Sequence, residues 1–216
     1  MTDPDLPIVD PAAIEQSGTR SPRVAGVVLA GGTSSRFGAA NKLLATVEGE
    51  PLVRRALRTL TAAELDPVIV VVGHEAEAVR EALPDDGERV VEADDYATGQ
   101  AASVRRGIAA VVDAADDAAA ATFLPGDMPF VDAETVRTLV DAYAAGAGDA
   151  LAPAHEDRRG NPVLFDRRHF EALAGIEGDT GGRAVLLGSD DAALVAVDDR
   201  GVAVDVDTPA DLARHR

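Results

Sequence analysis

Apolar runs and helical-period segments alternate along most of this chain. Val24–Ala30 is a continuous apolar run halted by Gly31-Gly32, the pattern of a strand covered on both faces. Pro51–Leu65 carries Leu52, Val53, Ala56, Leu57 and Leu60 at helical spacing. Pro67–Gly73 is a second buried strand, enriched in β-branched residues. Glu75–Leu83 reads as a helix stopped by Pro84, and Arg89–Glu92 as a short strand. Ser103–Ala115 is predicted to be a helix with Ser103 as its N-cap, and Asp132–Ala145 a helix opened by Asp132. Between them Ala121–Leu124 is a strand leading into the loop Pro125–Pro129. Ala150–Pro153 and Asn161–Phe165 read as strands joined by a polar hairpin-like segment, followed by helices over Arg167–Leu173 and Gly182–Leu187. Leu194–Val197 and Ala203–Val206 read as strands. Thr208-Pro209-Ala210-Asp211 then opens a last helix, with a capping Thr, Pro at the first position and Asp in the capping-box place.

Strands alternating with helices predict an α/β fold with a mostly parallel sheet. Ligands of such sheets sit beyond the carboxyl ends of the strands, where strand order reverses. Gly31-Gly32 and Asp127 both follow strands and are expected on one rim. Residues 1–23 lack periodicity and carry Pro, Ser, Gly and Asp, so they read as a mobile tail before a single domain over 24–216.

Composition narrows the classes. With 216 residues, 46% of them hydrophobic, the chain can bury one substantial core. Without cysteine there are no disulfides, thiolate metal sites or Cys nucleophiles, which fits a cytoplasmic location. No apolar run approaches a membrane span, and the acidic, proline-interrupted N-terminus does not read as a signal peptide. Neither a membrane nor a nucleic acid is expected as a partner: a net charge of −18 repels the latter. Paired acids such as Asp85-Asp86, Asp94-Asp95, Asp116-Asp117 and Asp190-Asp191 read as solvated surface. With the scarcity of lysine, this excess resembles proteins of salt-loving, halophilic cells.

Lys42 is the only lysine in the chain. It ends the run Leu29-Ala30-Gly31-Gly32-Thr33-Ser34-Ser35-Arg36-Phe37-Gly38-Ala39-Ala40-Asn41-Lys42. Lysine offers a compact charge on a flexible stem where arginine offers a planar fork. A point charge beside a loop of free backbone N–H groups suits a polyphosphate. Adjacent glycines let the backbone approach a ligand closely, Thr33, Ser34 and Ser35 add hydroxyls, and Arg36 adds charge. The spacing matches neither a Walker A loop nor the dinucleotide fingerprint.

Three further segments carry chemistry. Asp127, in Gly126-Asp127-Met128-Pro129 at a strand end, suits a hard-oxygen Mg²⁺ ligand or a turn aspartate bonding its own backbone. Asp205 and Asp207 alternate on one face of an extended run; Asp207 also precedes the last helix, where a carboxylate is favoured by the helix dipole. Paired with Asp127, Asp207 can complete a Mg²⁺ site. In Gly99–Gly107, Gln100 and Ser103 are uncharged donors suited to a base or ribose edge. His74, His155, His169 and His215 have no metal spacing and read as surface residues.

The loop ending at Lys42 resembles the L-x-G-G-x-S-x-R-x-G-x-x-K signature of nucleotidyltransferases with a glycosyltransferase-A-like fold, the lysine standing one residue later here. Adding Gly99–Gly107, Arg159-Gly160-Asn161-Pro162-Val163-Leu164-Phe165, Gly178-Asp179-Thr180-Gly181-Gly182-Arg183 and Asp205-Val206-Asp207-Thr208-Pro209, residues 24 to about 212 resemble the molybdenum cofactor cytidylyltransferases and guanylyltransferases. The later segments look more like the cytidylyl branch; Ala30-Gly31-Gly32 and Gln100 depart from it, the first toward the guanylyl branch. The resemblance implies a three-layer α/β/α domain with a Rossmann-like sheet, as in nucleotide-diphospho-sugar transferases. It also implies transfer of a nucleotide from CTP or GTP to the phosphate of a molybdopterin-type acceptor, with Arg36, Lys42 and Asp127 catalytic and Asp127 and Asp207 holding Mg²⁺. Leu29 to Arg36, Lys42, Gly73, Gln100 and Ser103 would bind the nucleotide, and Asn161 and Arg183 the acceptor. A molybdoenzyme or maturation factor is the implied protein partner. A sugar phosphate or other phosphorylated acceptor, and a nucleotide-binding regulatory or chaperone module without turnover, are the alternatives.

Overall fold

The computed structural model describes residues 6–13, 22–38, 40–84, 89–179 and 181–214. Asp85-Asp86, Ala39, Thr180, His215 and most of the expected tail fall outside them. The apolar runs form the strands β2 (Val24–Ala30), β5 (Val68–Val72), β6 (Arg89–Glu92), β7 (Ala120–Pro125), β8 (Ala150–His155), β10 (Val163–Asp166) and β11 (Ala192–Ala196). Three pairs and edges complete the set: β1 (Ile8–Val9), the small hairpin β3 (Thr46–Val47) and β4 (Glu50–Pro51), and β9 (Arg158–Arg159). The helices are α1 (Leu52–Ala62), α2 (Ala76–Ala82), α3 (Gln100–Ala114), α4 (Ala133–Ala144), α5 (Phe170–Ala174), α6 (Arg183–Gly188) and α7 (Pro209–Ala213).

The main sheet runs β1-β11-β8-β10-β7-β2-β5-β6, with β9 paired to β8. Only β10 and β9 run against their neighbours, so the sheet is mostly parallel as expected. Alternate residues of β2 serve opposite faces. Val24 and Val28 pack with α1, α2 and α4; Ala25 and Val27 pack with α3, α5 and α6. The result is a three-layer α/β/α domain buried on both sheet faces. From β2 the chain moves outward to β5 and β6, then returns to β7 on the other side of β2. That reversal opens a crevice between the ends of β2 and β7, at Gly31 and Asp127. Because β10 is antiparallel, the segment leading into it, with Asn161, lies on the same rim.

Three expectations are corrected. The segment before residue 23 is not wholly a tail: Ile8–Val9 forms a parallel edge strand on β11, and Leu194 N donates to Pro7 O at 2.8 Å. Ser103 is not an N-cap. Gly99, at φ 123°, precedes a helix that starts at Gln100, which puts Ser103 inside the first turn and buries it. Residues 203–206 are not a strand: a 3₁₀ turn over Arg200–Ala203 precedes an extended run with no ladder partner, tied instead by Val206 N donating to Asp127 O at 2.9 Å.

Candidate active site

The loop after β2 is closed by its own polar side chains. Ser34, at φ 54°, is buried; its Oγ accepts from Lys42 N at 3.1 Å and donates to Asn41 Oδ1 at 3.2 Å. Asn41 Oδ1 also caps the 3₁₀ turn Lys42–Leu44 by accepting from Leu43 N. Ser34 therefore holds the two ends of the loop together, while Thr33, Ser35 and Arg36 remain exposed to the crevice. Beneath the loop a small apolar cluster of Val47, Leu52, Val206 and Leu212 packs with Phe37 and Phe130. Each such buried side chain is worth about 1.5–3 kcal/mol, so this cluster holds the Lys42 loop against the segment bearing Asp207.

Three charged residues distant in sequence meet at the crevice. Lys42 Nζ donates to Asp127 Oδ2 at 2.5 Å and to Asp207 Oδ1 at 2.7 Å. Arg36 Nη1 lies 2.6 Å from the other oxygen of Asp207. Desolvation works against the Lys42 ammonium, but Asp127 and Asp207 outweigh it and hold its pKa above the ordinary lysine value. Desolvation likewise pushes Asp207 upward, yet the bond from Lys42 and the charges of Lys42 and Arg36 bring it below the usual carboxylate range. Asp205 moves the other way: partial desolvation and the charges of Asp207 and Asp127 raise it, against its own backbone N–H.

A cavity of about 900 Å³ opens at this point. One wall is Gly31–Arg36 with Lys42; another is Tyr96–Gln100 with Ser103; the far wall is Arg158–Asn161 with Val202 and Ala203; Asp127, Asp205 and Asp207 edge it. Of the residues expected to bind nucleotide, Leu29, Gly31, Gly32, Thr33, Ser34, Ser35, Arg36, Lys42, Gln100 and Ser103 line it. Ala30 and Gly73 do not. Ala30 is buried, and Gly73 is a packing glycine whose absent Cβ would stand 2.9 Å from Gly31 Cα and 2.6 Å from Tyr96. Gly31 is equally tight: a Cβ there would lie 2.3 Å from Ser103 Oγ. Asn161 lines the main cavity and a second of about 360 Å³, whose walls include Leu29, Val104, Phe123, Val163, Phe165 and Arg159. Arg183 lines only the second.

The sequence reading missed Tyr96, Thr98, Arg158, Arg159 and Asp179 as cavity residues. Arg159 and Asp179 stand inside the glycine-rich segments 159–165 and 178–183 already singled out, whereas Arg158 lies on the two-residue strand β9 and Tyr96 and Thr98 on a 3₁₀ turn, elements too short to show a period. A Cβ on Gly160 would lie 2.3 Å from Val202 O, so this wall is built by close backbone contact. The donor set at the crevice suits a hard divalent cation: two carboxylate oxygens already converge on one positive atom, Lys42 Nζ. Among the described residues no group of three or more His, Asp or Glu is placed to hold a metal unaided. Waters and substrate phosphates would have to complete the shell.

The MobA-like NTP transferase domain model matches residues 26–195. The chain belongs to this family. Among solved structures, Rv0371c from Mycobacterium tuberculosis H37Rv superposes with a TM-score of 0.79 at 32% identity, covering 90% of this chain and 98% of that one. A manganese complex of Rv0371c gives 0.75 at 30% identity, covering 89% and 97%. Nicotine blue oxidoreductase of Paenarthrobacter nicotinovorans is 30% identical over 174 residues, 78% of this chain and 83% of that protein. Bifunctional protein GlmU of Burkholderia ambifaria is 35% identical over 136 residues, 62% of this chain; the chain spans 29% of that relative's length. Among the described residues, no helix of this MobA-like domain is long and apolar enough to cross a membrane.

Proposed function

We propose that this MobA-like domain is a divalent-metal-dependent nucleotidyltransferase that moves CMP from CTP to the phosphate of a molybdopterin-type acceptor, releasing pyrophosphate. The observation that carries this reading is the convergence of Asp127 and Asp207 on Lys42 at the mouth of a cavity walled by the Gly31–Arg36 loop. The loop offers backbone N–H groups, the Thr33 and Ser35 hydroxyls and the Arg36 guanidinium to phosphate oxygens. Gln100, at the cavity wall, would meet the nucleoside, and Ser103, packed behind Gly31, would support that wall. Arg159, Asn161 and Arg183, which line the second cavity, would meet the acceptor. Asp127 and Asp207 would hold Mg²⁺, and the ion's chemistry is neutralisation of triphosphate charge. The manganese complex of Rv0371c supports a divalent ion.

An acceptor phosphate oxygen forms its bond to the α-phosphorus while the bond from that phosphorus to the α,β-bridging oxygen breaks, and pyrophosphate leaves with the electron pair. Positioning and electrostatic stabilisation supply the rate, and no side chain becomes covalently attached. GTP is the second reading for the base, favoured by Gly31 after Ala30, with Gln100 a further departure from the cytidylyl branch. The test is pyrophosphate release with each of four nucleoside triphosphates, in KCl with Mg²⁺ or Mn²⁺, with and without molybdopterin. Release dependent on CTP and molybdopterin is expected, and lost in Lys42→Ala and Asp127→Asn with the fold retained. GTP preference moves the assignment to the guanylyl branch. Nucleotide binding without release supports a binding module, and full activity in either variant overturns the assignment.

A further inference from the structure

Lys42 makes two contacts that a phosphate-binding lysine would not need. Its Nζ sits between Asp127 Oδ2 and Asp207 Oδ1, at 2.5 and 2.7 Å. The three side chains are 13%, 19% and 18% accessible, so the ammonium is inside the cluster rather than in solvent. The remaining oxygen of Asp207 is taken by Arg36 Nη1 at 2.6 Å. The Asp207 oxygen not held by arginine is therefore the one held by lysine. A divalent cation that takes Asp127 Oδ2 and Asp207 Oδ1 competes for the two oxygens Lys42 now holds, and its charge repels an ammonium at bonding distance from the same pair.

The Lys42 main chain is fixed by Ser34 Oγ and by the turn that Asn41 caps, so the backbone has no need to move. The stem has four rotatable carbons and can carry the charge a few ångströms while its Cα stays in place. Lys42 lines the cavity together with the Gly31–Arg36 loop, so a phosphate bound there would lie within the reach of its stem.

We propose that Lys42 is the resident counter-ion of the Asp127–Asp207 pair, and that a divalent metal and a triphosphate exchange for it together. This rests on the metal reading of Asp127 and Asp207 given above. The free protein then binds the metal weakly, because the ion competes with a cation tethered at high local concentration. A triphosphate relieves that competition by accepting the displaced ammonium, so metal and nucleotide bind with positive linkage. Linkage is reciprocal: the metal tightens the nucleotide by the factor by which the nucleotide tightens the metal.

The measurement is Mn²⁺ binding followed by electron paramagnetic resonance in molar KCl, with no turnover required. The wild-type protein is titrated alone and with a non-hydrolysable CTP or GTP analogue, and Lys42→Met, Lys42→Arg and Lys42→Met/Asp127→Asn are titrated alone. Lys42→Met is expected to bind Mn²⁺ at least tenfold more tightly than wild type without nucleotide. Lys42→Arg should stay near wild type, and the gain should vanish in the double variant. An affinity in Lys42→Met that is unchanged or weaker, or a gain that survives Asp127→Asn, overturns the proposal, since the ion would then sit elsewhere on this acidic chain. Should Lys42→Met fail to fold, the wild-type pair decides: a tenfold tightening of Mn²⁺ by the analogue is required, and none overturns it. Pyrophosphate release by wild type reports separately on the transferase reading, so either can fail while the other stands.

Discussion

Replacing Asp199 by alanine should loosen the segment that carries Asp207, although Asp199 itself does not line the cavity. Asp199 is 7% accessible and sits just before the 3₁₀ turn Arg200–Ala203. Its Oδ2 accepts from Asp132 N at 2.9 Å and from Thr135 Oγ1 at 2.7 Å, and its Oδ1 accepts from Gly201 N at 2.8 Å. One carboxylate thus supplies the missing acceptors at the start of α4 and fixes the turn that leads to Asp205 and Asp207. Hydrogen bonds to a charged group contribute about 1.5–3 kcal/mol each, and they are not additive here because they share one acceptor group. There is an offset: Asp132 is raised by desolvation and by the Asp199 charge, and removing Asp199 relieves that repulsion. A net loss of about 3 kcal/mol is expected. For a chain of this size that lowers the melting temperature by about 6–12 °C. Thermal unfolding followed by circular dichroism measures it. Asp199→Asn keeps the shape but sets an NH₂ group or a weaker acceptor against these donors, and should fall between. An Asp199→Ala protein melting within about 2 °C of wild type would refute the reasoning.

Acid should weaken the opposite end of the sheet. For Asp149, desolvation is outweighed by bonds from Ser189 and His169 and by the charges of His169 and Arg168; for Asp166, it is outweighed by Arg168 and Tyr143, so both carboxyls lie below their ordinary value. A depressed folded pKa gives stability that is full above the unfolded value of about 3.9 and lost as pH falls through the folded value. Urea midpoints should therefore drop as pH falls below about 4, and less steeply in Asp149→Asn; an identical slope would count against the network. Gly201→Ala places a Cβ 2.0 Å from Phe130 O. It should destabilise by about 1–3 kcal/mol and reduce pyrophosphate release, whereas normal melting would mean the turn moves freely. With a net charge of −18, the melting temperature should rise by several degrees in molar KCl as self-repulsion is screened; an unchanged or lower value would remove the halophilic reading.

Long apolar runs were legible because burial on both sheet faces leaves a continuous signal, as in β2 and β5. β1 was not legible: two residues, Ile8 and Val9, between prolines carry no period, and their partner β11 lies about 190 residues away in sequence. Ser103 misled because a hydroxyl near a helix start favours a cap, yet here it faces Gly31 from inside α3. The run Ala203–Val206 reads as a strand because its alternation reports extended backbone, and extended backbone needs a neighbour before it is a strand. Among the described residues, that run is tied across by Val206 N to Asp127 O.

The chemistry was legible as residue types and hidden as pairing. Nothing local could tell that Lys42 meets residues 85 and 165 positions further on. Topology decides that, through the return of the chain from β6 to β7 and the packing of Val206 and Leu212 under the loop. The consequence bears on why the one lysine is a lysine. An arginine at position 42 would keep the charge, but its fork would hold both carboxylates in a fixed plane and carry a wider head through the same crevice. Lys42→Arg should therefore keep the fold and the salt-bridged cluster while losing most of the pyrophosphate release. An arginine variant with wild-type turnover would show that charge alone, and not a small mobile ammonium, is what this position requires.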